Sequence, residues 1–263
     1  MGMTNFGAVK ALLGASYRQA DCYRYVFDKF SARPSFVDDD GDGAPTGATG
    51  DVNIMVTEDA RYEYHMKGAG QTIVKPVWAS TGLDIGLDQT DDEGVEITQG
   101  ITALSKGYFT ARTDECFFRV KFNIADVSGT DDCAIGFRKA EAYQANIDDY
   151  DEMACINVIS GDIKIETILN NAATTTTDTT QNWADGETHT LEVRVQASGA
   201  VTYVIDGAAP TATAAFSFDS AEKIVPFFFF LNAADIAGAV NILEWECGTF
   251  DTRGLTSATD YSN

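Results

Sequence analysis

The feature that most constrains this chain is a series of short runs in which apolar residues fall on every second position, with nothing of helical period between them from about residue 77 to 250. In 115–124, Cys116, Phe118, Val120, Phe122 and Ile124 share one side, while Glu115, Arg119, Lys121 and Asn123 fall on the other. That alternation predicts strands with one buried and one wet face, the pattern of an antiparallel sheet. The same period returns at 133–137, 154–159, 163–168, 191–195, 201–205, 227–231 and 242–247. Ser160-Gly161-Asp162 reads as a hairpin turn and Ala197–Ala200 as another. Many short strands without intervening helices predict a two-sheet sandwich whose core takes Phe118, Val120, Phe122, Val193, Val195, Tyr203, Ile205 and Trp245. The Thr-rich tract Thr174–Thr180 reads as a polar loop.

Pro226-Phe227-Phe228-Phe229-Phe230-Leu231 breaks the alternation, being apolar on both sides. Its second face requires cover from the N-terminal segment, a loop or another chain, because large apolar patches are seldom left open.

Upstream the pattern changes. Phe6, Val9, Leu13, Ser16, Ala20, Tyr23, Phe27 and Phe30 recur at steps of three and four, which predicts a helix over 5–30 ended by Arg33-Pro34. Phe6, Val9, Leu13, Tyr23, Phe27 and Phe30 would form its apolar seam, packed against the chain's own sandwich or against a neighbouring subunit in a homo-oligomer. The organisation read from the sequence is therefore a helical arm at 1–35, an acidic loop with a small β linker at 36–76, a sandwich at 77–252 and a tail at 253–263.

Charge narrows the partners. The chain carries 18 Lys+Arg against 40 Asp+Glu, a formal charge of −22, which argues against a phosphate-binding surface and against anionic membranes. No run reaches the roughly 20 apolar residues of a membrane-spanning helix, and the start lacks the pattern of a secretory signal. The five cysteines are odd in number and lack CxxC spacing, so they read as buried thiols rather than disulfides or zinc ligands.

Catalytic chemistry is hard to find. No Glu-x-Asp-x-Glu strand occurs, Glu244 and Glu246 read as solvent-facing, and the two histidines, His65 and His189, have no nucleophile beside them in the sequence. The chain is expected not to be an enzyme and to need no cofactor. The one candidate metal site is calcium at Asp38, Asp40 and Asp42, whose alternation and following Gly43 match the start of a calcium loop; Thr49 occupies the twelfth position where an acidic ligand belongs.

The segment Trp183-Ala184-Asp185-Gly186 leading to His189, with the hairpin partner ending at Asp206-Gly207, resembles a signature of concanavalin A-like and laminin-G-like jelly-roll domains. The resemblance implies an antiparallel β-sandwich over about 170 residues and leaves function open. Leu83–Ile97 resembles the opening of jelly-roll proteins among the virion structural genes of marine tailed phages. That likeness implies a homo-oligomeric capsid-decoration protein, bound to a major capsid protein on a virion assembled in the host cytoplasm. The alternative is a lectin-like module that binds glycans. A glycoside hydrolase comes third.

Overall fold

The computed structural model describes residues 25–38, 53–58, 60–67, 76–85, 91–99, 108–233 and 240–250. Seventeen strands occur among them: β1 Tyr25–Asp28, β2 Ser35–Asp38, β3 Asn53–Val56, β4 Arg61–Lys67, β5 Val77–Ala79, β6 Gly82–Asp84, β7 Gly94–Thr98, β8 Phe109–Thr110, β9 Cys116–Ile124, β10 Thr130–Lys139, β11 Met153–Ile159, β12 Asp162–Ile168, β13 Thr175–Asn182, β14 Thr188–Val195, β15 Val201–Ile205, β16 Lys223–Asn232 and β17 Val240–Thr249. They form a seven-stranded sheet in the order β15-β14-β9-β17-β6-β5, with β1 also on β17. A ten-stranded sheet runs β13-β12-β11-β10-β16-β7-β4-β3-β2, with β8 also on β16. Every pairing is antiparallel. The fold is a concanavalin A-like β-sandwich.

The inner faces meet in one core. Phe118, Val120, Phe122, Val193, Val195, Tyr203, Ile205 and Trp245 are all buried in it, as their alternation predicts. Trp245 is packed edge-on by Tyr62 at 5.2 Å and tilted against Phe118 at 4.4 Å. The predicted turns follow from backbone geometry. Ser160 and Gly161 have φ of 48° and 89° in the β11–β12 hairpin, Gly199 has 86° in the β14–β15 turn, and Asp206 and Gly207 have 50° and 83° in the tight turn that follows β15. Cys116, Cys133, Cys155 and Cys247 are buried free thiols, and burial pushes the Cys133 and Cys155 thiols well up and Cys247 to about 12.

Four expectations are corrected. First, the C-terminal end of the predicted helix is a strand. Tyr25, Val26 and Phe27 are β-formers, and β6 covers β17 only at Asn241–Ile242, so the edge at Trp245–Gly248 takes β1 instead. Phe27 packs on the Tyr25–Phe117 cluster and Phe30 enters the main core beside Tyr62, so both pack on the chain's own sandwich. Phe6, Val9, Leu13 and Tyr23 lie outside the described residues. Second, β2–β4, from the stretch read as a linker, extend the ten-stranded sheet. Third, the Thr tract forms edge strand β13; β-branched residues suit a strand, and an edge needs no apolar face. Fourth, Glu246 is buried rather than wet. It pairs with Arg119 and accepts from the Tyr25 hydroxyl at 2.5 Å under the cover of β1.

The phenylalanine run resolves as two faces with two covers. Phe228 and Phe230 enter the main core, while Phe227, Phe229 and Leu231 face outward into a second cluster with Ala134, Met153, Cys155 and Ile168. The cover there is the β10–β11 connection, which packs Ile147 and Tyr150 into that cluster, with the Tyr150 ring tilted against Phe227 at 6.3 Å.

Candidate functional site

The outer face of the ten-stranded sheet carries polar chemistry on either side of that apolar patch. On one side the covering loop is pinned from below. Glu96 of β7 receives Arg138 of β10 through Nη2 at 2.6 Å and Nε at 3.2 Å, and both side chains are fully buried. The Tyr150 hydroxyl donates to the same carboxylate at 2.5 Å, and the guanidinium lies 4.5 Å from the Tyr150 ring centroid. Arg138 Nη1 donates to the backbone carbonyls of Lys139 and Glu141. Burial alone would lower the arginine's pKa; the charges of Glu96, Tyr150 and Glu141 and the Glu96 hydrogen bond together more than offset this and hold it protonated. A buried pair this well hydrogen-bonded fixes geometry, and here it fixes the course of residues 140–151.

On the other side lies a polar basin. Asn157, in the middle of β11, is buried; its Nδ2 donates to Asp132 on β10 at 2.6 Å and to Glu166 on β12 at 2.8 Å, while its Oδ1 accepts from the Cys133 amide at 2.9 Å. Thr176 of β13 donates to Glu166 at 3.0 Å, and Thr174 donates to Asp148 of the covering loop at 2.6 Å. The floor, Asn157 and Glu166, is sealed; Asp132 and Thr174 are half-buried, and Thr176 and Asp148 are exposed at the rim. Burial raises the Asp132 carboxyl to about 7, with the charges of Glu166, Asp131 and Asp148 adding to the rise and the Asn157 bond opposing it. The rim therefore offers the Asp132 carboxyl, protonated below about pH 7, beside the Asp148 carboxylate and the Thr174 and Thr176 hydroxyls, over a floor whose Asn157 amide is already fully hydrogen-bonded. Such a set suits vicinal hydroxyl groups.

A cation fits the basin poorly, because the point between the two carboxylates is occupied by the Asn157 amide nitrogen, a donor. Among the described residues no group of three or more His, Cys, Asp or Glu side chains is placed to hold a metal ion. Of the calcium candidates, Asp38 closes β2 opposite Asn53, and Asp40 and Asp42 lie outside the described residues.

His189 is held at both ring nitrogens. His189 Nδ1 meets Asp206 at 2.6 Å and Nε2 meets Glu187 at 3.1 Å, with the Trp183 ring edge-on at 4.4 Å. Burial pulls its pKa down, yet the two carboxylates outweigh that and raise it. This corner ties the start of β14 to the end of β15, the structural role its motif predicts. His65, on the outer face of β4, stacks on Tyr143 at 5.0 Å with 10° between the rings.

Sequence reasoning missed the basin. The available signal was polar residues breaking apolar runs, Asn157 within Ile156–Val158 and Glu166 within Ile165–Ile168, but nothing in the sequence says that three strands bring them together.

No protein-family model matches the chain, and no curated protein matches it. Its likeness to known proteins lies in the fold. The carbohydrate recognition domain of Emp46p, in its potassium-bound form, superposes with a TM-score of 0.51 at 9% identity, covering 70% of this chain and 88% of that one. The exoplasmic/lumenal domain of VIP36, bound to Ca2+ and Man3GlcNAc, reaches 0.47 at 8% identity over 74% and 85%. A structure described among endo-acting O-glycanases of the human gut microbiota reaches 0.49 at 12% identity over 86% and 98%. The head-decoration reading gains nothing from these neighbours or from the fold, and Leu83–Ile97, the segment that prompted it, contributes most of β6 and of β7 to the sandwich.

Proposed function

We propose that this protein is a non-enzymatic carbohydrate-binding domain that engages sugar hydroxyls at the Asp132–Asn157–Glu166 basin. The observation that carries the reading is the basin itself: the half-buried Asp132 carboxyl held by a sealed Asn157–Glu166 floor on a sheet face and ringed by the Thr174, Thr176 and Asp148 side chains. Carboxylates and amides recognise sugars because each can take part in paired hydrogen bonds with adjacent hydroxyls. The Emp46p domain, which shares the fold, is a carbohydrate recognition domain, and this gives the reading a precedent. Binding without turnover is supported by the Asn157 amide, which fills the space that a reacting glycosidic bond would need between the carboxylates. With a formal charge of −22 the ligand is a neutral or amino sugar rather than a uronic or sialic acid.

The test is a glycan array followed by calorimetry, with calcium present and with chelator. Binding of neutral or amino glycans, weakened at least tenfold in Asn157→Ala with fold retained, is the expected result, with no release of reducing ends. Silence across the array in both conditions sinks the proposal. Binding that appears only with calcium and survives Asn157→Ala moves the site to the Asp38–Asp42 loop.

A further inference from the structure

His65 is the least satisfied polar group on the outer sheet face. It is 1% exposed, and neither ring nitrogen has a hydrogen-bond partner. The hydroxyl of Tyr143, the ring stacked on it, also has none. Buried polar groups in folded proteins are nearly always paired, so an orphaned imidazole beneath a loop is a place where protonation changes the balance of forces.

We propose that His65 is an acid-operated latch on the 140–151 loop: the neutral ring holds Tyr143 and the loop closed over the sheet, and protonation releases them.

The charged and titratable groups around it set the direction. On β4 itself Glu63 and Lys67 flank it on the same face, and Lys67 Nζ is held by Asp92 at 3.3 Å and by Asn146 of the loop at 3.2 Å. From β7 comes Glu96, and from β10 comes Arg138. From the loop come Tyr143 and Tyr150. Glu96 would attract an imidazolium, but its two oxygens already accept from Arg138 and Tyr150. Arg138 repels one. A proton on His65 thus arrives in a dry site with no acceptor assigned to it, and stacking on one phenol recovers only part of the lost hydration. Lifting the loop restores water to both nitrogens. Opening also gives up the Tyr150–Glu96 hydrogen bond and the cover of Ile147 and Tyr150 over Phe227 and Phe229, so the loop is mainly closed and protonation raises its opening from that low level.

Burial first, with Arg138 assisting and Glu96 opposing, holds the closed-state pKa at about 4 against 6.5 for an exposed histidine. The coupling between closure and protonation is therefore limited to about 300-fold, and the loop-opening equilibrium at pH 5.0 should exceed that at pH 7.5 by about 30-fold. Asp148 rides on the same loop, so opening also removes one rim of the basin. The latch goes beyond the ligand reading and stands without it, since loop motion can be followed with no ligand present.

Hydrogen exchange of the full chain reads this directly, with rates corrected for the intrinsic pH dependence of exchange. Amides within 140–151 should lose protection at pH 5.0 relative to 7.5 in the native protein, while amides of β9 and β14 stay protected at both. His65→Phe keeps a ring to stack on Tyr143 and cannot titrate; its loop should show equal opening at the two pH values. His65→Gln serves the same purpose if the phenylalanine variant fails to fold. An equal rise in both variants would assign the effect to neighbouring carboxyls such as Glu141 and overturn the latch. So would no rise in the native protein, or a loss of protection shared by β9 and β14.

Discussion

Individual side chains on the outer face show how burial, more than charge count, sets behaviour in so acidic a chain. Asp132 is the clearest case. Its carboxyl is raised to about 7 from an ordinary 3.8, so the folded state binds the proton more tightly than the unfolded one. The sign follows: the stabilisation is fully present below pH 3.8 and is lost as pH rises through 7. Asp132→Asn should remove that dependence. Chemical denaturation between pH 4 and 7 should show the native protein losing about 1–2 kcal/mol more than the variant, a figure already discounted for the solvent that reaches this half-buried group. Equal slopes would mean that the carboxyl is ionised and solvated in the folded state. His65 works in the opposite sense, because a histidine held low costs stability as pH falls from 6.5 towards 4. The two partly cancel in the native protein, and the single variants separate them.

At the level of elements, the β10–β11 connection supplies the cover that the phenylalanine strand requires. Phe227 and Phe229 look outward, and the sandwich solves their exposure within the chain, through Ile147 and Tyr150, without calling on a second copy. The strands beneath pack closely enough to need a glycine. A Cβ at Gly136 of β10 would collide with the Ala154 carbonyl and with Cys155 of β11, and both are held in register by the ladder. Gly136→Ala should therefore destabilise the protein by about 1–3 kcal/mol, the range for overpacking a filled interior. A thermal shift below one degree would show that β11 moves aside at little cost. The loop and basin were largely invisible beforehand for the same reason: their members sit on β7, β10, β11, β12, β13 and the covering loop, and register across six elements is not a local property.

Across the whole molecule the sandwich extends further towards the N-terminus than its strand pattern suggests. β1 completes the edge of β17, the Asp28 carboxylate accepts from the Phe30 amide at 2.7 Å to close the following turn, and Phe30 fills the core. The Trp78 indole then donates to the Phe30 carbonyl at 2.7 Å. Deleting residues 1–33 should consequently cost stability as well as any function of the first segment. Loss of the buried Phe30 alone corresponds to about 3–5 kcal/mol, enough to lower the melting temperature markedly or to prevent folding. A truncated chain as stable as the intact one would show that β1 and Phe30 are accessory. An arm that merely attaches the sandwich to a neighbour would be removable without loss of stability; the segment from Tyr25 onward, paired with β17 and packed into the core, should not be.

Strand identity, core membership and turn chemistry were legible in the residue order because they are local. Alternation along 115–124 assigns Phe118 and Phe122 to the core whatever the partner strand, and Asp206-Gly207 permits left-handed φ wherever it stands. The motif around Trp183 and His189 carried the fold class for the same reason. What local pattern could not settle was anything that depends on a neighbour. The aromatic steps from Phe6 to Phe30 fit a helix in isolation, but Tyr25–Asp28 became a strand because β17 had an open edge. Thr175–Asn182 became a strand because β12 offered one too. Glu246 was buried by β1, and Asn157 acquired two carboxylates from the strands on either side. Hydrogen-bond partners and desolvation are properties of pairs distant in the chain, and they are set only once the sheets have assembled.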